Sequence, residues 1–308
     1  MAIASAFPCV LLLRHDFFPR GLEVEYRQQE LRSDELVICR AHSRGGRFDE
    51  ARGRGSSLRS DWSKVRLILS GHLFARTSNG GVVVGPGDMV VSRGWDDHRW
   101  RALDDVTDYV LVGWKHRGPA GDRPRDGGPL RLGGGVDARS GPVAHARALA
   151  HELDGSGNTA QVMSAVASML ASLATFGLPL SAEAARAVSI GIDPVHQIFA
   201  DAMQRVVFPL TSRPMAVDFS QALGLSQRQT LRVSNEFFTR FYVTTSRWRD
   251  YVSGMRLELG MFFCSSPRST TEIVSRALGF GAPATLCHAF HSAGLPSPRE
   301  VRRELRGG

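Results

Sequence analysis

The sequence predicts an α+β protein in which a β-barrel domain comes first, a helical segment follows, and an all-α domain ends the chain. Seven short strand-like runs, separated by Gly-containing turns, lie within residues 1–116. Apolar residues recur at helical spacing from residue 143 onward. We therefore predict a β domain over 1–116, a linker with amphipathic helices over 117–193, and an all-α domain over 194–308.

Positive charge is concentrated in the last third of the chain. The formal net charge is +8, but only Lys64 and Lys115 are lysines, and a GC-rich coding sequence produces such an excess of arginine without any binding role. The distribution is more informative, because residues 195–308 hold 14 arginines and no lysine against eight acidic residues, a net charge of +6. This pattern favours a polyanionic partner for the C-terminal part.

The β domain is predicted from short alternating runs and their turns. The predicted strands lie at 22–27, 36–41, 65–70, 72–76, 82–84, 89–92 and 109–114. Asn79-Gly80-Gly81 separates two of these runs and can supply the positive φ angles of a tight hairpin turn. Many short strands joined by Gly turns favour a small barrel or jelly roll.

The segment before the all-α domain contains two helical patterns, at 143–153 and 159–176. The second has an apolar seam with alternating four- and three-residue spacing: Val162, Val166, Met169, Leu173 and Phe176. Such a seam needs a partner, either another helix of the same chain or the same helix of a second subunit. Residues 155–182 carry no charge, but polar residues recur beside the seam, so no membrane span is predicted.

Residues 215–232 have the features of a helix-turn-helix. Phe219-Ser220 is an apolar–small pair that lets two helices approach closely, and Leu223-Gly224-Leu225 can form the turn. Ser226 can cap the second helix. The first turns of that helix then carry Gln227, Arg228, Gln229 and Arg232. Arg can pair with guanine and Gln with adenine in the major groove, so this helix is predicted to read double-stranded DNA.

The same features recur at residues 270–290. Val274-Ser275 is again an apolar–small pair, Leu278-Gly279-Phe280 can form the turn, and the next helix carries Thr285 and His288. A single copy of the pattern is weak, because short helices with a Gly turn are common in protein cores. Two copies joined by a predicted helix indicate a DNA-binding domain with two helix-turn-helix units.

At these residues the chain resembles the AraC/XylS family of bacterial transcription regulators, over roughly residues 195–303. The family's Gly-Phe pair falls at Gly279-Phe280, its Ala-Phe pair at Ala289-Phe290 and its terminal proline at Pro298. Arg256-Leu257 matches the connecting helix, with Gly260 in place of the usual Ala. The resemblance implies two recognition helices that enter successive major grooves, about 10 base pairs apart.

The two units depart from the family pattern in different ways. Between Ser226 and Tyr251 the chain is about six residues longer than the pattern. In the second unit, Gly281-Ala282-Pro283-Ala284 replaces residues that are commonly polar. We therefore expect the first unit to discriminate bases, so that Gln229→Ala flattens base preference. The second unit should contact mainly the DNA backbone, through Gly281, Thr285 and His288.

The resemblance also implies a cupin-like barrel that binds a small effector, a homodimer, and RNA polymerase as a further partner, and it favours an activator over a repressor. The candidate effector residues are His42, His72, Trp95 and His98. Gly87 and His98 have a spacing similar to the second cupin motif, but Arg93 and Trp95 replace its Pro and Gly. The alternative is that His98 is a structural barrel histidine and that the tryptophans only pack the barrel.

No catalytic residue, metal site or cofactor is predicted. The first cupin motif is missing, and the four cysteines (Cys9, Cys39, Cys264 and Cys287) have no metal-ligand spacing. Neither a signal peptide nor a disulfide is predicted, so a cytoplasmic protein is expected. The predicted function is a transcription regulator controlled through its N-terminal domain by a small effector or by its dimer state. The alternatives are a regulator with no small ligand that a protein partner controls, and a metal-dependent cupin enzyme fused to a DNA-binding module.

Overall fold

The structure, a computed structural model, describes most of the chain. The described residues are 11–49, 62–77, 80–93, 99–115, 130–132, 141–155, 158–176, 178, 180, 192–207, 210–211, 214–241 and 248–306. Within them, the N-terminal part is rich in sheet and the C-terminal part is helical, as the sequence predicts. No described helix is both long and apolar enough to cross a membrane.

Two antiparallel sheets form what we call the β region, residues 11–132. Its strands are β1 Leu11–Phe17, β2 Glu25–Arg32, β3 Leu36–Arg44, β4 Trp62–Ser70, β5 Leu73–Thr77, β6 Gly80–Val84, β7 Met89–Arg93, β8 Arg99–Ala102, β9 Val106–Lys115 and β10 Leu130–Leu132. The larger sheet has the order β1-β2-β3-β9-β4-β7-β10, and the smaller sheet has the order β6-β5-β8.

The described helices follow the β region. They are α1 Pro142–Asp154, α2 Thr159–Thr175, α3 Pro194–Val207, α4 Ala216–Leu223, α5 Gln227–Arg240, α6 Trp248–Cys264, α7 Thr271–Ala277, α8 Pro283–Ser292 and α9 Pro298–Arg306. We call α3 to α9 the helical region. Buried aromatic rings join its first helices, since the Phe199 ring of α3 lies 5.1 Å from Phe219 in α4 and 4.6 Å from Phe237 in α5.

The apolar seam of α2 is covered by its own chain. Val162, Val166, Met169 and Leu173 are each at most 3% exposed and share a core with α1 and with the outer face of the larger sheet. Phe176, at the end of the seam, is 42% exposed. The partner of the seam is therefore the sheet and α1, and the buried part of the seam is not available to a second subunit.

The inner face of the larger sheet is divided between the smaller sheet and the helical region. Ala41 and Tyr109 share a core with the smaller sheet. Phe17 and Tyr26, on β1 and β2, instead pack with the helical region, where the Tyr26 ring lies 5.6 Å from Phe262 of α6. The β region and the helical region consequently share one hydrophobic core.

Polar contacts reinforce this interface. Three arginines of the β region each donate a hydrogen bond to a backbone carbonyl oxygen near the end of a helix in the helical region. The pairs are Arg32 with Phe241, Arg47 with Leu305, and Arg101 with Glu304. Carbonyl groups in the last turn of a helix have no partner within the helix, so these guanidinium groups satisfy otherwise unpaired acceptors.

Three described strands were not predicted, and one was predicted out of position. β10 lies inside the predicted linker, where three residues are too few to give a pattern, and its pairing with β7 defines it. In β1 an apolar block (residues 11–13) is followed by a polar block (residues 14–16) instead of alternating, and β8 is only four residues long. β2 begins at Glu25, after the predicted start, because Leu22 and Val24 are buried in the shared core instead of in the sheet.

Candidate nucleic-acid interface

The first helix pair, α4 and α5, is joined by a tight turn at Gly224. This glycine has a φ angle of 64°, in the left-handed region, and Leu225 N–H donates to the Ser220 carbonyl oxygen at 3.0 Å. Phe219 and Ser220 are buried, as the apolar–small pair predicts. The turn therefore ends α4 and redirects the chain within two residues.

The second helix pair, α7 and α8, repeats this turn. Gly279 has a φ angle of 67°, and Phe280 N–H donates to the Ser275 carbonyl oxygen at 2.9 Å. A Cβ atom on Gly279 would lie 2.5 Å from the carbonyl oxygen of Leu210, so close approach of the backbone also requires glycine here. The two pairs share one hydrogen-bonding pattern, 55 residues apart.

A capping box begins α5. Gln229 N–H donates to Ser226 Oγ at 3.3 Å, and Ser226 N–H donates to Gln229 Oε1 at 3.0 Å. The carboxamide oxygen of Gln229 is therefore used to start the helix, although the side chain is predicted to read a base. Gln229 can pair with adenine through both the oxygen and the nitrogen of its carboxamide only if it leaves the capping box.

The exposed face of α5 is mostly polar, with Arg228, Arg232 and Glu236, and it also carries Leu231, which is 57% exposed. Thr230, Ser234, Phe237 and Phe238 face the core. The opposite face carries residues at helical spacing that are all exposed: Gln227, Arg228, Arg232, Asn235 and Thr239. The first three of these were predicted from the sequence, whereas Asn235 and Thr239 were not. The seven-residue spacing between Arg228 and Asn235 would have indicated that Asn235 lies on the same face. Asn is a side chain that can pair with adenine.

The exposed face of α8 has different chemistry. Pro283 occupies the first turn, and no side chain caps this helix. Thr285 and His288 are exposed as predicted, while Leu286 and Phe290 are buried. Gly281, in the preceding turn, has a φ angle of 75°. This face presents no arginine, so it can contribute less to base pairing than α5.

Two exposed arginines of the helical region are paired with carboxylates in this structure. Arg268 of the helical region pairs with Glu23 of the β region, and Arg276 pairs with Glu272 at 2.8 Å. These pairs are largely exposed, and exposed ion pairs exchange readily with other partners. Arg249, at the start of α6, is also exposed.

A buried polar network lies where the β region meets α6. The Tyr251 hydroxyl lies 3.4 Å from Nε2 of His15, and Arg32 Nε lies 2.5 Å from the Glu30 carboxylate. Burial lowers the pKa of His15 to about 4, so its imidazole is neutral at neutral pH. Burial alone would raise the pKa of Glu30, but the charge and hydrogen bond of Arg32 outweigh it and hold the pKa below its ordinary value. Glu30 and Arg32 are therefore a buried ion pair.

The histidines predicted to bind an effector are not brought together. His42 of β3 lies on the outer face of the larger sheet, on the side of α1. His72 is half exposed beside the smaller sheet, where its Nδ1 lies 2.8 Å from Asp104. Trp95 and His98 lie outside the described residues. His42 and His72 thus occupy different sheets and share no pocket.

Trp100 and Trp114 of the β region also lie in different cores. Trp114 is buried on the outer face of the larger sheet. Trp100 lies between the sheets, where the buried Arg66 guanidinium stacks 4.2 Å from its ring and 4.6 Å from the Tyr109 ring. Across the described ranges, no three His, Cys, Asp or Glu side chains are grouped so as to hold a metal ion.

No protein-family model matches the sequence, and a search of curated proteins finds no match. Among solved structures, ToxT from Vibrio cholerae O395 is similar over 89% of this chain and 99% of its own, at 11% identity and a TM-score of 0.36. Ylba from E. coli matches 38% of this chain and 48% of its own, at 10% identity and a TM-score of 0.29. The putative glyoxylate induced protein from Pseudomonas aeruginosa matches 38% of this chain and 44% of its own, at 9% identity and a TM-score of 0.30. This chain thus spans about half the length of the last two proteins, and similarity at this level assigns neither a family nor a function.

Proposed function

We propose that this chain is a sequence-specific DNA-binding transcription regulator of the AraC/XylS family. In this proposal a cupin-like barrel occupies residues 1–116, a linker occupies 117–193, and two helix-turn-helix units lie within 194–308. The observation that carries the proposal is the repetition of one turn geometry at Gly224 and Gly279, each followed by a helix with an exposed face. The net positive charge of residues 195–308 agrees with a polyanionic partner.

The first unit carries most of the base discrimination in this proposal. Arg228 and Arg232 lie four residues apart on the exposed face of α5, and Asn235 extends the same face. These side chains offer bidentate pairing to guanine and adenine edges. Thr285 and His288 of α8 then contact mainly phosphate groups of a neighbouring major groove, with the backbone at Gly281 approaching closely.

The β region supplies control. A small effector bound by the β region, or a change of dimer state, alters how the two recognition helices are presented to DNA. In this proposal the protein acts in the cytoplasm as a homodimer. It activates transcription, in preference to repressing it, through contact with RNA polymerase. The shared core between the β region and the helical region supports this link, because residues of the two regions pack directly against each other. A conformational change in one region would therefore alter the packing of the other.

Two alternatives differ in what the β region does. A regulator without a small ligand responds to a protein partner, and a metal-dependent cupin enzyme would carry the DNA-binding module as a fusion. Small metabolites that raise the thermal unfolding temperature of the purified protein favour the effector, because ligands that bind the native state stabilise it. Stoichiometric metal in the purified protein favours the enzyme.

The first experiment is a fluorescence anisotropy titration of the full chain against its own upstream DNA and against a scrambled duplex of equal length. Salt concentration is varied, because phosphate contacts release counterions and specific contacts do so less. Tighter binding to the upstream DNA at physiological salt is expected. Absence of binding to either duplex at low salt contradicts the proposal.

A further inference from the structure

The β region contacts the first recognition helix at its carboxyl end. Phe241 is the residue at which α5 ends, and its carbonyl oxygen accepts a hydrogen bond of 3.2 Å from Arg32 Nη1 on β2. Such a terminal carbonyl has no partner within the helix, and a cation is favourable at this end of the helix dipole. Arg32 thus joins strand β2 directly to the helix that presents Arg228 and Arg232.

The position of Arg32 is itself fixed. Its Nε lies 2.5 Å from the carboxylate of Glu30, whose side chain is 3% exposed, and Phe241 is fully buried. One planar guanidinium therefore bridges a carboxylate on β2 and a helix end through two different nitrogen atoms. Beside it, the Tyr251 hydroxyl of α6 lies 3.4 Å from His15 of β1. The end of α5 thus contacts β2, and the first turn of α6 contacts β1.

This contact leaves the DNA-facing surfaces open. Arg228 and Arg232 on α5 and His288 on α8 are exposed, while the β region lies against α3, the end of α5, α6 and α9. The contact therefore does not block either recognition helix. A helix held in its binding orientation before it meets DNA loses less conformational freedom on binding.

We propose that Arg32 is a positioning residue for DNA recognition, which fixes the carboxyl end of α5 against the β region and so presets its orientation relative to α6. This inference rests on the proposed function, because it assigns Arg32 a role in DNA recognition through α5. A change at β1 and β2 can then reach the first recognition helix through Arg32, in addition to the packing of α3 between β1 and α5.

Matched variants separate this role from general stability. Arg32→Lys keeps a cation beside Glu30, but a single ammonium cannot bridge to Phe241 as the guanidinium does. Arg47→Gln removes another arginine-to-helix-end bond of the same interface, at Leu305 in α9. Arg14→Gln removes a bond of the same kind, to Leu153 of α1, which does not involve the helical region. The fourth variant is Arg32→Gln. If Arg32→Gln does not fold, the double variant Arg32→Gln with Glu30→Gln, which removes both charges of the buried pair, takes its place.

Hydrogen exchange of the full chain without DNA tests the contact directly. We expect exchange of the backbone amides at residues 237–241 to rise by about tenfold in Arg32→Lys, because a hydrogen bond from a charged group is lost. The same amides should keep wild-type protection in Arg47→Gln and Arg14→Gln. Unchanged exchange in both Arg32 variants, or an equal rise in Arg47→Gln, overturns the inference.

DNA binding tests the consequence. The probe is a duplex selected from a random library by the wild-type chain, together with a copy in which only the half-site of α5 is scrambled. Arg32→Lys should bind the intact duplex about tenfold more weakly and the scrambled copy within about twofold of wild type. Tighter binding of the intact duplex would mean that the contact restrains α5 and would overturn the inference. If the wild-type chain selects no sequence, the proposed function fails, while the exchange experiment still decides whether Arg32 holds α5.

Discussion

The two helix pairs share a turn, but the helices that follow the turns differ in how they begin and in what they expose. A capping box of Ser226 and Gln229 begins α5, whereas Pro283 begins α8 without any side-chain cap. The exposed face of α5 carries Arg228 and Arg232, and that of α8 carries small and neutral-polar side chains together with histidines. The backbone turn is thus repeated, while side chains that can pair bidentately with base edges are present mainly in the first copy.

The surroundings of the two turns differ as well. A Cβ atom at Gly224 would meet no atom within 4 Å, but at Gly279 it would lie 2.5 Å from the carbonyl oxygen of Leu210 and 2.9 Å from that of Thr211. The first turn is open to solvent and the second is wedged against the segment after α3. The turn of the second pair is therefore the more tightly packed, and its glycine is the more sensitive to substitution.

The largest effect expected from this comparison is on stability. Alanine in a left-handed conformation costs about 1–2 kcal/mol, so Gly224→Ala should lower the free energy of unfolding by that amount. Gly279→Ala adds the clash with two carbonyl oxygens and should cost at least about 3 kcal/mol. Urea unfolding of both variants measures the difference. Equal losses at the two positions would contradict the distinction between an open and a wedged turn.

A second effect concerns sequence-specific affinity. Replacing both Arg228 and Arg232 by alanine should weaken binding to the upstream DNA by about a hundredfold, because two bidentate contacts of 1–3 kcal/mol are lost. The double variant Arg268→Ala with Arg276→Ala, which removes two exposed arginines paired with carboxylates, is the matched control for charge. Anisotropy at constant salt measures both. If the control loses as much affinity as the α5 double variant, α5 contributes charge alone.

The smallest effect is expected in the second pair. His288→Ala should lower affinity for upstream and scrambled DNA by the same factor, less than about threefold, because α8 contacts backbone and not base edges. The His288 ring lies 3.4 Å from Ser292 on the same exposed face, so its loss leaves the core of the pair intact. A changed base preference in this variant would assign base reading to α8 and remove the asymmetry.

Much of this arrangement could be predicted from sequence, because local patterns dictate it. The apolar–small pairs, the two turn glycines and the cap at Ser226 each depend on a few neighbouring residues, and each is found where it was expected. The outward positions of Arg228 and Arg232 follow from helical periodicity alone.

The features that could not be predicted depend on contacts between distant residues. The residue type and position of Gln229 suggest that it reads a base. Its side chain instead caps the helix, because the backbone N–H of Ser226 competes for its oxygen. The Arg32 contact joins residues 209 positions apart, and no local pattern marks it. Likewise, the seam of α2 gave two equally valid partners until the larger sheet was seen to cover it.

The division of the larger sheet's inner face has a consequence for chimeric proteins that contain only the β region or only the helical region of this chain. A cut in the linker would leave Phe17 and Tyr26 of the N-terminal fragment facing water, and Phe262 of the C-terminal fragment would lose its cover. Exposed aromatic patches of this kind promote aggregation. We therefore expect chimeras that join this β region to an unrelated helical domain to aggregate unless the new domain carries a matching aromatic surface.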